Sequence, residues 1–523
     1  MKKILVISAL AASTLFATTS CDDYYKVNIN PEQPVTAPAQ YLLPPVLGFM
    51  SKSVYEHGEF AAYITQQVAT LGGTDTRRDR WDYLNVNRIG HFRAHYHDVG
   101  INALHLIDKG IEEGNENYEG VGRLIFALST QMTTDVFGDI PMTEAFQGNP
   151  SPVYDDQEQQ VYPFILEELD LAITTLEKAK EEKDINAPLV DDIVYDGDLD
   201  KWIALAYAVK ARTLLHYIPN VNADYDAVLQ AIAKAEEFGF TTAAYNYGVV
   251  ENGNDYQKSM WGRSQTKPEW DYWANVLGGS APTQFFLFQL MGYDPLTADF
   301  KDPRLPYLMT SRAEAEFDVA GTMTMRPVYH AVRSGEGMDG NIDPLEYPDL
   351  YGNYQTRDDG AHYYFMEEEL HFIKAEVLFL KKQYGEALSA MNEGVKAHMD
   401  RAGVPVDEQN AFMASDEYPQ DAAAITLSFI MQQKMIALYL QGEVWVDMRR
   451  HGFSTDVYPN LERPVRLAVY WEAETSDNVW LQRFPYDPET EQIYNKEELE
   501  KRGAYQNPAW MYQPMFWAKK IDF

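Results

Sequence analysis

Cysteine is nearly missing from these 523 residues: Cys21 is the only one, so no internal disulfide can form and the fold must be held by packing and polar contacts. Basic residues are also scarce, with 43 Lys and Arg against 79 Asp and Glu, a formal net charge of −36. That balance argues against nucleic acid as a partner, because phosphate recognition draws its affinity from clustered Lys and Arg. It also repels anionic ligands in general. Long apolar runs are lacking too. The run from Ile4 to Phe16 is too short to span a bilayer, and no later segment reads as a transmembrane helix. The patterns H-E-x-x-H, G-x-S-x-G, G-x-G-x-x-G and the P-loop are absent, and paired carboxylates specify nothing in a chain with 79 of them. No catalytic residue, metal or cofactor is assigned.

What is present begins with a leader. Lys2 and Lys3 precede the apolar run, and Thr18-Thr19-Ser20 places small residues directly before Cys21, as in a bacterial lipobox. Residues 1–20 therefore read as a lipoprotein signal peptide and Cys21 as the acylated residue. Each buried CH₂ of an acyl chain contributes about 0.8 kcal/mol, so two or more chains hold a protein stably on a membrane. Pro31, Pro34, Pro38, Pro44 and Pro45 follow among polar residues, and 21–45 is expected to be a lipidated, extended tether.

Helical periodicity dominates from about 46 to 240 and again from about 362 to 451. Three stretches share one spacing: Tyr162, Ile165, Leu166, Leu169 and Ala172; Tyr225, Val228, Leu229, Ile232 and Ala235; and Tyr384, Ala387, Leu388, Met391 and Gly394. These positions line one helical stripe, and the opening tyrosine resembles the second helix of a tetratricopeptide repeat. The segment 367–382 pairs with 384–400, its own stripe being Leu370, Ile373, Val377 and Leu380. The fold class expected is mainly α, a tetratricopeptide-like scaffold of helical pairs with long, loop-rich insertions. The insertion covers about 241–361 and an irregular C-terminal part covers 452–523. A helix over 201–217 is apolar around most of its circumference, with Asp198 placed to cap it and Asp200 in its first turn. The aspartates at 191, 192, 196, 198 and 200 do not fit an EF-hand, since Lys201 stands where glycine belongs and Tyr207 where glutamate belongs.

Aromatic residues make up 13% of the chain, and several tryptophans sit where helical periodicity fails. Trp261, Trp270, Tyr272 and Trp273 are interleaved with polar residues, and Arg78, Trp81, Tyr83 and Asn85 form a second cluster. A ring offers an apolar face to the C–H side of a sugar while Asn, Asp or Arg binds its hydroxyls, so these eight residues are the candidate ligand contacts. The competing reading is that the rings pack long loops onto the helices. His91 and His95 stand four apart with His97 and Asp98 nearby. The stripe Ile89, Phe92, Tyr96 and Val99 leaves those histidines beside it in water, so no metal site is assigned.

Several motifs together resemble the SusD/RagB family, in particular its SusD-like branch. They are Lys26-Val-Asn-Ile-Asn-Pro31, Asp135-Val-Phe-Gly-Asp-Ile-Pro141 with Glu144-Ala145, and Tyr195-Asp-Gly-Asp-Leu-Asp-Lys201-Trp202 running through Lys210 and Arg212. Glu369-Leu-His-Phe-Ile-Lys-Ala-Glu376 follows, and then Gln433-Lys434 through Leu440-Gln441-Gly442, Trp445, Asp447 and Arg449-Arg450. Tyr207 departs from the polar residue usual in the central helix, and Arg483-Phe484-Pro485 with Asn495 only approximates the late element of the family. The resemblance implies one domain over 46–523 and a nutrient-binding lipoprotein at the outer-membrane surface. Its partner would be a SusC-type TonB-dependent transporter and its cargo a glycan, with a peptide or glycopeptide next in order. Asp22-Asp23 resembles the acidic tag that sends such lipoproteins to the outer face. The rival classes are a surface glycoside hydrolase and a protein-binding repeat scaffold. The motif residues have structural explanations, Gly138 and Pro141 as helix stops and Arg449 and Arg450 as partners of Asp447 or Glu443, so none is assigned to ligand contact.

Overall fold

The computed structural model describes residues 37–72, 78–81, 90–182, 188–218, 224–248, 258–263, 276–291, 302–317, 323–465 and 480–518. The chain is mainly helical. Helix α1 (Ala39–Ile64) opens the domain and runs through Pro44 and Pro45. The expected tether is therefore too long at its C-terminal end, because helix has begun by Ala39. Two missing amide donors weaken that turn, but Leu43, Val46, Leu47 and Met50 recur at helical spacing and are fully buried, which outweighs the loss.

A short helix, α2 (Gly90–Arg93), leads through a π turn at Ala94–Val99 into α3 (Gly100–Glu113). The Gly100 amide bonds back five residues to the His95 carbonyl. The wider turn adds a residue to the register and swings His95 into the core, where Nδ1 lies 3.0 Å from the Ser129 hydroxyl. His95 is thus a core residue rather than one beside the stripe in water, and burial holds its pKa down at about 3.

The helical pairs follow. Helix α4 (Glu116–Phe137) packs with α5 (Tyr162–Glu181), α6 (Leu199–His216) with α7 (Tyr225–Glu237). Each of α5 and α7 starts at its expected tyrosine and buries the expected stripe: Ile165, Leu169 and Ala172, then Val228, Ile232 and Ala235. Asp198 caps α6 by accepting from the Asp200 and Lys201 amides. The aspartate-rich turn before it is organised by Asp192, whose carboxylate accepts from the amides of Val194, Tyr195 and Gly197 and from the Trp202 indole at 2.7 Å. Gly138 ends α4 at φ 89 and ψ −121, a region open to glycine though not left-handed helix; a Cβ there would lie 2.7 Å from Arg483 Nη1.

Sheet is confined to four two-stranded ribbons among the described residues. Strands β1 (Val68–Thr70), β2 (Ile140–Pro141), β3 (Tyr154–Asp155), β4 (Ala243–Tyr245), β5 (Ser280–Pro282), β6 (Arg312–Phe317), β7 (Met323–Val328) and β8 (His362–Phe365) pair antiparallel as β1–β5, β2–β3, β4–β8 and β6–β7. The β4–β8 pair pins both ends of the insertion side by side, Ala243 opposite Phe365. Within the insertion lie α8 (Gln284–Met291) and α9 (Leu305–Leu308). The second half of the scaffold is α10 (Glu367–Leu380), α11 (Tyr384–Ala402), α12 (Val406–Met413), α13 (Leu427–Ala437) and α14 (Glu443–Arg450). Helix α11 again begins at its tyrosine and buries Ala387, Met391 and Gly394 against α10. The C-terminal part carries α15 (Glu491–Tyr494) and α16 (Lys496–Lys501) and folds back on the end of α4, the Phe484 amide donating to the Val136 carbonyl at 2.9 Å.

Candidate functional site

Several described segments meet at one place. The Leu71 amide donates to the Gly279 carbonyl at 2.7 Å, and the Met338 amide donates to the Leu71 carbonyl at 3.2 Å. Arg80 Nε donates to the Gly335 carbonyl at 2.9 Å, and the Val465 amide donates to the Ser334 carbonyl at 2.7 Å. Glycine is required at 335, where φ is 79 and a Cβ would lie 2.1 Å from the Val465 carbonyl oxygen. The stretches next in sequence hold Tyr83, Asn85, Trp270, Tyr272 and Trp273, and these five candidate contacts lie outside the described residues.

The other three candidates are placed, and none presents a free ring or cation to a ligand. Trp81 is 1% exposed in a left-handed turn with φ 58, its ring 5.7 Å from that of Trp480. Trp261 is 3% exposed and meets Tyr55 edge-on at 4.8 Å. Both are therefore corrected to core residues: burying a large ring is worth more than leaving it wet, and each finds an aromatic partner. Arg78 is committed to an ion pair with Glu59, its guanidinium 5.1 Å from the Phe60 ring and 5.6 Å from that of Tyr63. The neighbouring Asp79 accepts from the Thr70 amide and hydroxyl at 2.7 and 2.6 Å, and burial raises its pKa to about 6. These contacts anchor the Arg78–Trp81 turn. Trp480, half-buried and stacked on Phe453 at 4.6 Å with 7° between the planes, was not singled out by sequence. It lies outside the two clusters that composition picked out, and only its contact with Trp81 marks it.

The motif residues converge elsewhere, in a buried polar core between α4, α6, α10, α13 and α14. Arg212 makes two bonds of 2.6 Å to Glu369 and lies 4.1 Å from the Phe365 ring. The Tyr162 hydroxyl donates to Asp135 and lies 2.8 Å from His216 Nδ1, while His216 Nε2 meets Glu443 at 2.7 Å. Glu376 binds Arg450 at 2.7 Å and His451 at 3.0 Å, and Asp447 accepts from Lys434 at 2.9 Å and from Arg450 at 2.8 Å. Arg449 spends its charge on backbone, donating to the carbonyls of Asp135 and Gln482, with its guanidinium 3.9 Å from the Trp445 ring.

Burial pushes the Asp135 carboxyl up to about 6 and the Arg449 guanidinium down to about 9. Burial opposes ionisation of Glu443 as well, but His216 and Arg212 overcome it and hold the group at about 2. Buried charges persist only when paired in this way. Asp135 is paired with Tyr162, Glu369 with Arg212 and Glu443 with His216, so these contacts tie the helices to one another. Among the described residues no group of three or more His, Cys, Asp or Glu could hold a metal ion, and no helix is long and apolar enough to cross a membrane.

Comparison with known proteins agrees with this architecture. A chitin-binding SusD homolog from Flavobacterium johnsoniae superposes with a TM-score of 0.68 at 18% identity, over 92% of this chain and 99% of that one. A SusD/RagB family protein from Bacteroides thetaiotaomicron gives 0.63 at 20% identity, over 93% and 100%. A further structure, named a chitin-binding protein, gives 0.69 at 17% identity, over 92% and 100%. A search of curated proteins found no match. The family profile that matches residues 31–486 is SusD-like, described as starch-binding associating with outer membrane. Spanning the helical pairs, the insertion and the polar core alike, that match places the chain in the SusD-like family.

Proposed function

We propose that this chain is a surface glycan-binding lipoprotein: it is tethered to the outer membrane through acylated Cys21, captures an oligosaccharide, and hands it to a SusC-type TonB-dependent transporter without chemistry of its own. The observation that carries this reading is the meeting of chain segments around Leu71, Gly335 and Val465, next in sequence to stretches rich in Trp, Tyr and Asn. Trp270, Tyr272 and Trp273, with Tyr83 and Asn85, are the contacts assigned to it. Two of the similar structures are named for chitin binding, which makes a neutral N-acetylated oligosaccharide the first ligand to try. A negative charge of this size also favours neutral over anionic sugars.

Calorimetry of the soluble chain, residues 22–523, against chitin, starch and other oligosaccharides, with chromatography of the recovered sugar, tests the proposal. Retention without cleavage is expected. Cleavage would make the protein a hydrolase, and binding of peptides in place of sugars would move it to a different cargo.

A further inference from the structure

Gln131 sits on α4 at the edge of the polar core, 1% exposed. Its Nε2 donates to the Thr213 hydroxyl at 3.0 Å, and that hydroxyl gives its own proton to the Val209 carbonyl at 2.9 Å. The orientation of the amide follows: turned over, Oε1 would face a hydroxyl whose single proton is already engaged. Oε1 is then left with no protein partner among the described residues. Gln131 lines a cavity of about 30 Å³ whose wall also carries His57, Asp135, Arg212, Glu369 and Glu443. Asp135 follows Gln131 by one helical turn, so the two acceptors lie on the same face of α4. The second oxygen of Asp135 lies 3.5 Å from His216 Nδ1.

We propose that this cavity is a binding site for one water molecule, which donates a hydrogen bond to Gln131 Oε1 and a second to Asp135. The space exceeds the roughly 10–15 Å³ that one water needs. Gln131 Oε1 and the Asp135 carboxylate are both acceptors, so a guest that bridges them must be a donor. A cation would fit that demand by charge, but the Arg212 guanidinium shares the wall and Arg449 lies against Asp135, so positive charge is already supplied. Water bridges the acceptors without adding charge. Its role is structural, completing the polar core where α4, α6, α10 and α14 cross.

A crystal structure of residues 22–523 diffracting to about 1.5 Å or better, with and without a thallium(I) soak, decides the matter. One density peak about 2.7–3.2 Å from Gln131 Oε1, with no anomalous signal after the soak, is expected. Gln131→Met, which keeps the length and removes the acceptor, loses that peak while circular dichroism stays unchanged. A dry cavity in the parent crystal, or a thallium peak within it, overturns the proposal. The parent crystal is sufficient even if the variant does not fold.

Discussion

Arg212 on α6 and Glu369 on α10 face each other through two bonds of 2.6 Å across 157 residues of sequence. The pair ties the two halves of the scaffold together on either side of the insertion. Glu369 is wholly enclosed, and burial raises its pKa despite the guanidinium beside it. Removing one partner leaves the other charge buried and alone, which costs about 3–5 kcal/mol. Arg212→Ala should therefore lower the urea midpoint sharply. The double variant Arg212→Met with Glu369→Leu should recover most of the loss, and equal destabilisation of single and double variants would count against the pair as the cause.

His57 gives the stability a pH signature. Burial depresses its pKa from 6.5 to about 4, so the imidazole is neutral in the fold while the unfolded chain takes up a proton. Stability should fall as pH drops from about 6.5 toward 4, by about 3 kcal/mol at most. Asp135 acts oppositely over part of this range. Its raised pKa of about 6 makes the fold bind more protons than the unfolded chain between the two values, so its share of stability declines as pH rises. Comparing His57→Gln with the parent by thermal unfolding isolates this histidine: the variant should lose its share of the acid-side slope, while that of buried His95 remains.

Asp192 organises the turn before α6 through three amides and the Trp202 indole. Asp192→Ala strands several donors and should destabilise by about 1–3 kcal/mol. Adding calcium, or a chelator, should leave the Tm of the parent unchanged in scanning calorimetry.

The two tryptophan groups should separate cleanly. Trp81→Ala empties a core site against Trp480 and is expected to cost about 3–5 kcal/mol. Trp270→Ala with Trp273→Ala should instead weaken retention of the bound oligosaccharide about tenfold or more with little change in Tm. Calorimetry and thermal unfolding of the same samples give both readings.

Cys21→Ser should release the protein into the soluble fraction when cells are washed and fractionated. Retention of the variant in the membrane pellet of cells lacking the proposed SusC-type transporter would contradict lipid anchoring.

Local order was written in the sequence. Tyr162, Tyr225 and Tyr384 open their helices because periodicity, capping and the helical stripe act within one or two turns. Asp198 could be read as a cap for the same reason, the amide donors it accepts from lying two and three residues away. Tertiary structure alone decided the fate of the aromatic clusters. Trp81 and Trp261 looked like exposed rings because Trp480 and Tyr55, which bury them, stand far off in sequence. The π turn at Ala94–Val99 shifted the register and turned His95 inward, which a uniform helical period does not foresee. The motif charges followed the same division: their residues were legible in order along the chain, but the partner of each depended on which helices the fold brought to within a hydrogen bond of one another.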